Sequence, residues 1–181
     1  SLIESNELDS IIIGGGNSIL EHKEAIEFFL KKNRDRFNII LSSSKFSELI
    51  PNKNNNVFQI VLGSDIVEYE SLNNKTIKYI FPSSEGLEEK DLKENFYTIK
   101  FEDNDEEKVN HFEGSIYLVS DILKSKKVFL IGFDGFNPSD RYYDVFKENQ
   151  KVIDKYSKNI SIVSLTKTKY SVNLDSIYSY L

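Results

Sequence analysis

Short apolar runs alternate with helical segments along most of this chain, and this alternation constrains the fold more than any other feature. The runs are brief and rich in β-branched and aromatic residues, which is typical of strands. We predict seven strands from them, at residues 10–13, 38–41, 57–62, 76–81, 96–100, 127–131 and 159–163.

The segments between the predicted strands have helical periodicity. We predict helices at 20–32, 45–50, 64–72, 87–94, 106–124 and 141–157. The first of them is expected to bury one face, formed by Leu20, Ala25, Ile26, Phe29 and Leu30. Strands that alternate with helices form right-handed crossovers and a parallel sheet covered on both faces. We therefore predict a three-layer α/β domain with a mostly parallel sheet.

The apolar content of each strand predicts its position in the sheet. IIIG (11–14), FNIIL (37–41) and VFLIG (128–132) lack polar alternation, as expected of strands buried on both sides. TIKYI (76–80) and FYTIK (96–100) alternate polar with apolar residues and are expected to be peripheral. The strands at 10–13, 38–41 and 127–131 are therefore predicted to be adjacent and parallel in the centre.

Composition limits the class of protein. The 181 residues fit one domain, 1–181, and the net charge of -6 argues against nucleic acid as a partner. No apolar stretch is long enough for a membrane span, and the chain contains no cysteine, so we expect a cytoplasmic protein without contact to a membrane. Because the chain begins with Ser1 and contains no methionine, we expect it to be a domain of a longer protein.

A run of three glycines, Gly14 to Gly16, separates the first predicted strand from the first predicted helix. Glycine lets the backbone approach a phosphate closely, and the amides near Asn17 and Ser18 would lie at the positive end of the helix. The alternative is a tight turn that needs positive φ, followed by a helix cap. The sequence leaves both interpretations open.

Two common nucleotide fingerprints are absent around this loop. A dinucleotide motif starting at Gly14 would need a small residue at position 19, which is Ile19, and the next predicted strand ends in Ser42, Ser43 and Ser44 rather than in an acid. No Gly-Lys-Ser/Thr sequence follows the glycines either. We therefore predict no NAD, FAD or other cofactor.

Four stretches resemble known families. The GGGNS loop (14–18) and KKVFLIGFDGF (126–136) are similar to segments of bacterial CMP-sugar sialyltransferases and of motility-accessory-factor-like domains, although Asn17 replaces the proline usual in that loop. RYYDVFKENQKVIDKY (141–156) and SLTKTKYSV (164–172) resemble a C-terminal domain of bacterial surface-polysaccharide loci. That domain follows aldolase barrels similar to HMG-CoA lyase and 4-hydroxy-2-oxovalerate aldolase. The resemblance implies a Rossmann-like fold.

The resemblance also implies a ligand site. It would bring Gly14, Gly15, Gly16, Asn17 and Ser18 to the phosphate and ribose of a cytidine nucleotide, with Asp134 in the same cleft. Asp-Gly is also a common turn dipeptide, so a purely structural role for Asp134 stays open.

The residues that follow Asp134 offer further candidate contacts. Arg141 is a nearby cation that could meet a phosphate. Tyr142 and Tyr143 could stack on a base or pack on the sheet edge.

The chain offers little catalytic chemistry. His22 and His111 are its two histidines; they lack metal-ligand spacing, and we predict that both are solvent-facing helix residues. Ser42 to Ser44 lack the elbow of a serine nucleophile and are predicted to form a turn with a helix cap. The acidic run 102–107 is predicted to be a solvated face rather than a metal site. We therefore predict no catalytic residue and no metal.

Two functions remain open. The first is a non-catalytic accessory domain, fused to an aldolase-like barrel with lyase activity in bacterial surface-glycan biosynthesis, that binds a nucleotide or nucleotide sugar. The second is a stand-alone sialyltransferase-like glycosyltransferase that uses a nucleotide-activated sugar. The missing catalytic constellation favours the first.

Overall fold

A computed structural model of the protein describes residues 3–51, 56–63, 71–83, 93–101 and 109–181. Its centre is a parallel eight-stranded sheet. The strands are β1 (Ser10–Ile13), β2 (Asn38–Leu41), β3 (Val57–Ile60), β4 (Ile77–Pro82), β5 (Phe96–Ile99), β6 (Lys127–Ile131), β7 (Ser161–Ser164) and β8 (Asn173–Leu174). Their order in the sheet is β5-β4-β3-β2-β1-β6-β7-β8.

Helices cover both faces of this sheet. They are α1 (Ser18–Glu21), α2 (Lys23–Lys32), α3 (His111–Tyr117) and α4 (Tyr143–Tyr156), with 3-10 helices at Ser44–Leu49 and Ile177–Tyr180 and a π-helical turn at Leu118–Ile122 that continues α3. Among the residues that the structure describes, no helix is both long enough and apolar enough to cross a lipid bilayer.

The central strand is β1, as the sequence predicts. Ile12 pairs with Ile40 of β2 on one side and with Leu130 of β6 on the other, and both pairings are parallel. All four residues of β1 are buried, because the strand has neighbours on both edges and helices over both faces. The prediction that strands 10–13, 38–41 and 127–131 are adjacent, parallel and central is confirmed.

Alternate residues of β1 enter two separate cores. Ile12 packs in a cluster with Ile116 of α3 and Ile153 of α4. Ile11 and Ile13 point to the other face and pack in a cluster that contains residues of α1 and α2. The two-residue period of the strand therefore produces the three layers, and the α/β, Rossmann-like architecture is confirmed.

The first helix differs from the prediction in phase. It begins at Ser18 and is interrupted at His22, whose φ of -122° and ψ of 23° are not helical. This break rotates the first turn, so Ile19 is fully buried whereas Leu20 is 59% exposed. The expectation that Leu20 shares the buried face of Ile26 and Phe29 is wrong, because the prediction assumed one uninterrupted helix.

Other predicted elements change in type or extent. The segment predicted as a helix at 45–50 is a 3-10 helix, and the helix predicted at 106–124 is observed as α3 and the π-helical turn. The two-residue strand β8 was not predicted. Residues 64–70, 84–92 and 102–108 lie outside the described residues, and with them most of the predicted helices at 64–72 and 87–94 and all of the acidic run 102–107.

The strand order reverses once, between β1 and β6. The chain builds outward from β1 through β2, β3 and β4 to β5, and then returns to place β6 on the other side of β1. Loops that leave two neighbouring parallel strands in opposite directions leave a crevice at the carboxyl ends of those strands. In this chain, the loops after β1 and β6 form that crevice.

The phase of the first helix can be tested by truncating two neighbouring side chains. We expect Ile19→Ala to lower the free energy of unfolding by about 2–4 kcal/mol, because it empties space in a closed core. Leu20→Ala should change it by less than about 1 kcal/mol, because Leu20 is exposed. Urea unfolding of the two variants measures both values, and equal losses would contradict this helix phase.

Candidate functional site

A cleft of about 650 Å³ lies at the carboxyl ends of β1 and β6. Its wall is formed by the loops after β1, β2 and β6, the start of α3, one side of α4 and a tyrosine that follows β7. These residues are Gly14, Gly15, Gly16, Asn17, Ser42, Ser43, Asn110, His111, Phe112, Gly132, Phe133, Asp134, Gly135, Phe136, Tyr142, Val145, Asn149 and Tyr170. The cleft therefore occupies the position at which open α/β sheets bind ligands.

A second depression, of about 660 Å³, lies at the amino ends of β4 and β5. Lys75 and Lys93, which precede β4 and β5, contribute to its wall, as does Lys78 of β4. The amino ends of parallel strands are not the ligand-binding edge of such sheets. We therefore take the cleft beside β1 and β6 as the candidate site.

The loop after β1 is held against the loop after β6 by backbone hydrogen bonds. The Gly14 N–H donates to the Ile131 carbonyl oxygen at 2.8 Å, and the Gly16 N–H donates to the Gly132 carbonyl oxygen at 2.8 Å. A Cβ on Gly14 would lie 2.6 Å from the Gly132 oxygen, and a Cβ on Gly16 would lie 2.7 Å from it. Glycine is required at both positions because the two backbones approach too closely for any side chain.

This close approach is a structural reason for Gly14 and Gly16 that differs from the positive-φ turn considered from the sequence. Neither a turn with positive φ nor a phosphate is needed to explain Gly14 and Gly16, because the glycines with positive φ in the described ranges are Gly63, Gly132 and Gly135. Gly132 and Gly135 belong to the loop after β6 instead. Gly15 differs from its neighbours: it is exposed, and the nearest atom to an added Cβ is the Ser43 Oγ at 3.3 Å.

Asp134 is bonded to the start of α1. The backbone N–H of Ser18 donates to the Asp134 Oδ2 at 3.0 Å, and the Ser18 hydroxyl donates to the Asp134 Oδ1. The carboxylate therefore takes the position at the helix start where the sequence predicted a bound phosphate. Asp134 therefore lies in the same cleft as the glycine loop and contacts the end of that loop directly.

The structure places some of the predicted ligand residues in the cleft wall and others outside it. Gly14, Gly15, Gly16, Asn17 and Asp134 lie together in the cleft wall. Ser18 is buried behind the wall, with both of its donors bonded to Asp134. Arg141 is exposed and outside the wall, where its guanidinium lies 4.4 Å from the centre of the Tyr142 ring. Whether these residues bind a ligand stays a prediction.

Aromatic rings form the apolar part of the cleft wall. Phe112 and Phe133 are in contact, with ring centres 5.0 Å apart, and Phe136 and Tyr142 are 5.5 Å apart. Tyr142 is 45% exposed, so part of its ring surface is accessible to a ligand. Tyr143 instead stacks on Phe146 at 5.7 Å and does not line the cleft. Of the two tyrosines considered for base stacking, the structure places Tyr142 at the site.

A chain of amide and hydroxyl groups forms the polar part of the wall. The Asn110 Nδ2 donates to the Asn149 Oδ1 at 3.1 Å, and the Asn149 Nδ2 donates to the Tyr170 hydroxyl at 3.1 Å. Burial raises the pKa of Tyr170 above its ordinary value, so the hydroxyl stays protonated at neutral pH. Because the Tyr170 oxygen already accepts from Asn149, its proton is the group that can be offered to a ligand.

His111 lies in the cleft wall, contrary to the prediction that it faces solvent. It is the first residue of α3 and is half-buried. The side chain of Asn110 caps this helix by accepting from the Glu113 N–H at 2.8 Å, which fixes the position at which the helix starts. The other histidine, His22, is bonded to the Tyr178 hydroxyl at 3.1 Å and is not part of the wall.

Some of the wall residues left a signal in the sequence and others did not. Asn149 occupies the same face of α4 as the buried Val152, Ile153 and Tyr156. A polar residue on an otherwise apolar helix face is a sequence signal for a buried polar contact. No local pattern indicated His111 or Tyr170, because their positions depend on how α3 and the chain after β7 return to the sheet.

Lys45 is the cation that the structure places beside the glycine loop. Its Nζ donates to the Gly15 carbonyl oxygen at 3.2 Å. Ser43 precedes it and accepts from the Lys45 N–H at 3.3 Å, which confirms the prediction that the serine run ends β2 and caps a helix.

Comparison of the chain with protein-family models, with curated proteins and with solved structures finds no match. Within the described ranges, no three His, Cys, Asp or Glu side chains converge in a way that could hold a metal ion. We therefore infer the function from the geometry of the cleft.

The different roles of the glycines give a direct test. Gly16→Ala should lower the free energy of unfolding by about 2 kcal/mol or more, because its Cβ would overlap the Gly132 oxygen and the Asp134 carboxylate. Gly15→Ala should change it by less than about 1 kcal/mol, because the Ser43 side chain can rotate away from the added methyl group. Chemical denaturation of the two variants provides the comparison. If Gly15→Ala is the more damaging change, the assignment of close approach to Gly16 is incorrect.

Proposed function

We propose that the cleft binds a nucleotide or nucleotide sugar, and that the chain is an accessory domain of an aldolase-like enzyme in bacterial surface-glycan biosynthesis. The observation that supports ligand binding is the position of the cleft, at the carboxyl ends of β1 and β6 where the strand order reverses. The absence of cysteine from the chain fits a cytoplasmic location for the proposed enzyme.

The composition of the wall fits the parts of a nucleotide. The accessible Tyr142 ring and its neighbour Phe136 offer a surface on which a base can stack. Asp134 offers acceptor capacity for sugar hydroxyls, and Tyr170 offers a donor. On the other side, the backbone at Gly15 has no side chain between it and the cleft, so a phosphate can approach its amide.

Two considerations favour an accessory role over catalysis. The carboxylate in the wall, Asp134, is held by two hydrogen bonds to Ser18, so it acts there as an anchor between loops. In the part of the chain that the structure describes, the wall holds no second carboxylate. In this proposal, the lyase chemistry belongs to a fused aldolase-like barrel, as the resemblance of residues 141–156 and 164–172 implies.

One observation favours the second candidate function, a glycosyltransferase that uses a nucleotide-activated sugar. His111 lines the same cleft and is half-buried. Histidine is the side chain most often used to move a proton in an active site, and a transferase must remove one from the attacking hydroxyl. The two candidates therefore share the binding site and differ in whether His111 exchanges a proton with the ligand.

Thermal unfolding in the presence of nucleotides tests the binding function. We expect CMP or UMP to raise the melting temperature, because a ligand that binds the folded state stabilises it by about 2.7 kcal/mol at 100 times Kd. Tyr142→Ala should weaken binding about tenfold by removing the stacking surface. Tyr178→Ala is the matched control, since Tyr178 is an exposed tyrosine outside the cleft.

The same samples separate the two candidate functions. When a CMP-sugar and an acceptor sugar are added, an accessory domain should bind the CMP-sugar without releasing CMP. A transferase should instead move the sugar to an acceptor hydroxyl and release CMP, in a reaction that His111→Ala abolishes. If neither nucleotides nor nucleotide sugars shift the transition at millimolar concentration, the binding function is refuted.

A further inference from the structure

The two ends of the glycine loop carry opposite charges. At the Gly16 end, the Asp134 carboxylate accepts both donors of Ser18. At the Gly15 end, the Lys45 ammonium group donates to the Gly15 carbonyl oxygen at 3.2 Å. An anion that approaches this loop is therefore repelled at one end and attracted at the other.

The start of α1 is consequently a poor place for a phosphate. Its buried Ser18 already gives its N–H and its hydroxyl to a carboxylate, so an incoming phosphate would have to displace a charged partner that belongs to the protein. It would also lie beside that negative charge. This end of the loop is better suited to groups that donate hydrogen bonds, such as sugar hydroxyls.

The Gly15 end has the opposite character. The Lys45 ammonium has three protons, of which one is used by the Gly15 oxygen, and it has no carboxylate partner among the described residues. The Ser43 hydroxyl accepts the Lys45 N–H, which leaves its own proton to donate. The Gly15 N–H has no acceptor in the part of the chain that the structure describes.

These three donors are close together. An ideal Cβ on Gly15 would lie 3.3 Å from the Ser43 Oγ and 3.9 Å from the Lys45 Cδ, so both side chains border the space above Gly15. Gly15 and Ser43 are also residues of the cleft wall. An ammonium, a hydroxyl and a backbone amide grouped around one exposed glycine are donors of the kind that bind a phosphate group.

We propose that Gly15, Ser43 and Lys45 form the anion subsite of the cleft and bind the phosphate of a phosphorylated ligand. This inference rests on the proposed nucleotide-binding function and assigns the direction in which the ligand lies. In this arrangement, the phosphate lies over Gly15 and Lys45, beyond the carboxyl end of β2. The part of the ligand that carries hydroxyl groups extends past Asp134. Arg141, the cation suggested by the sequence, is not needed for this contact.

The proposal can be tested by NMR titration of the 15N-labelled protein at low salt, with CMP and with inorganic pyrophosphate as probes. The amide of Gly15 should shift more than those of Asn17 and Ser18. Lys45→Gln should weaken binding of both probes about tenfold or more, because it removes a charge-assisted hydrogen bond. Lys45→Arg should restore most of the affinity.

The control variant is Lys31→Gln, which removes the same charge from an exposed position on α2 and should leave both affinities within about twofold of wild type. Lys45 is itself exposed, so its variants should fold, and their amide spectra check this directly. Equal binding by wild type and Lys45→Gln would overturn the subsite, as would the largest shifts at Asn17 and Ser18.

The two probes distinguish this inference from the function on which it rests. CMP binding that does not depend on Lys45 would overturn the anion subsite and leave the nucleotide function standing. Binding of pyrophosphate that depends on Lys45, without any binding of CMP, would support the subsite and overturn the nucleotide function. Failure of both probes to bind at millimolar concentration would overturn both.

Discussion

The contact between Asp134 and Ser18 is the interaction on which the candidate site depends. It joins the loop after β6 to the start of α1 at the point where the strand order reverses. The two loops can meet there because Gly14 and Gly16 have no side chains and Gly132 adopts a φ of +76°. The same contact places a negative charge at one end of the cleft wall, which decides where a ligand's own charges can lie.

The fold could be predicted from the sequence because its determinants are local. Strands β1, β2 and β6 are apolar on both faces, and only central strands of a covered sheet have that property. The alternation of strands and helices along the chain then predicts that the sheet is parallel. The prediction was wrong at Leu20, where a break at His22 changed the phase of the helix, because single-residue breaks leave no trace in periodicity.

The site was harder to predict because its residues meet only in the tertiary structure. That Asp134 lies near the glycine loop follows from the adjacency of β1 and β6. The hydrogen bonds between Asp134 and Ser18 do not follow from that adjacency. They depend on the exact positions of the two loops, which the backbone contacts between the loops determine. Lys45 and His111 were missed for the same reason: one follows β2 and the other begins α3, and neither belongs to a recognisable motif.

The most direct measurement is a double-mutant cycle on the contact that joins the two loops. Ser18→Ala, Asp134→Asn and the double variant are compared by urea unfolding. We expect a coupling free energy of about 1 kcal/mol or more between the two positions, because the Ser18 hydroxyl donates a hydrogen bond to a carboxylate. If the two single-variant losses add up to the loss of the double variant within about 0.3 kcal/mol, the two side chains do not stabilise each other and this contact does not hold the two loops together.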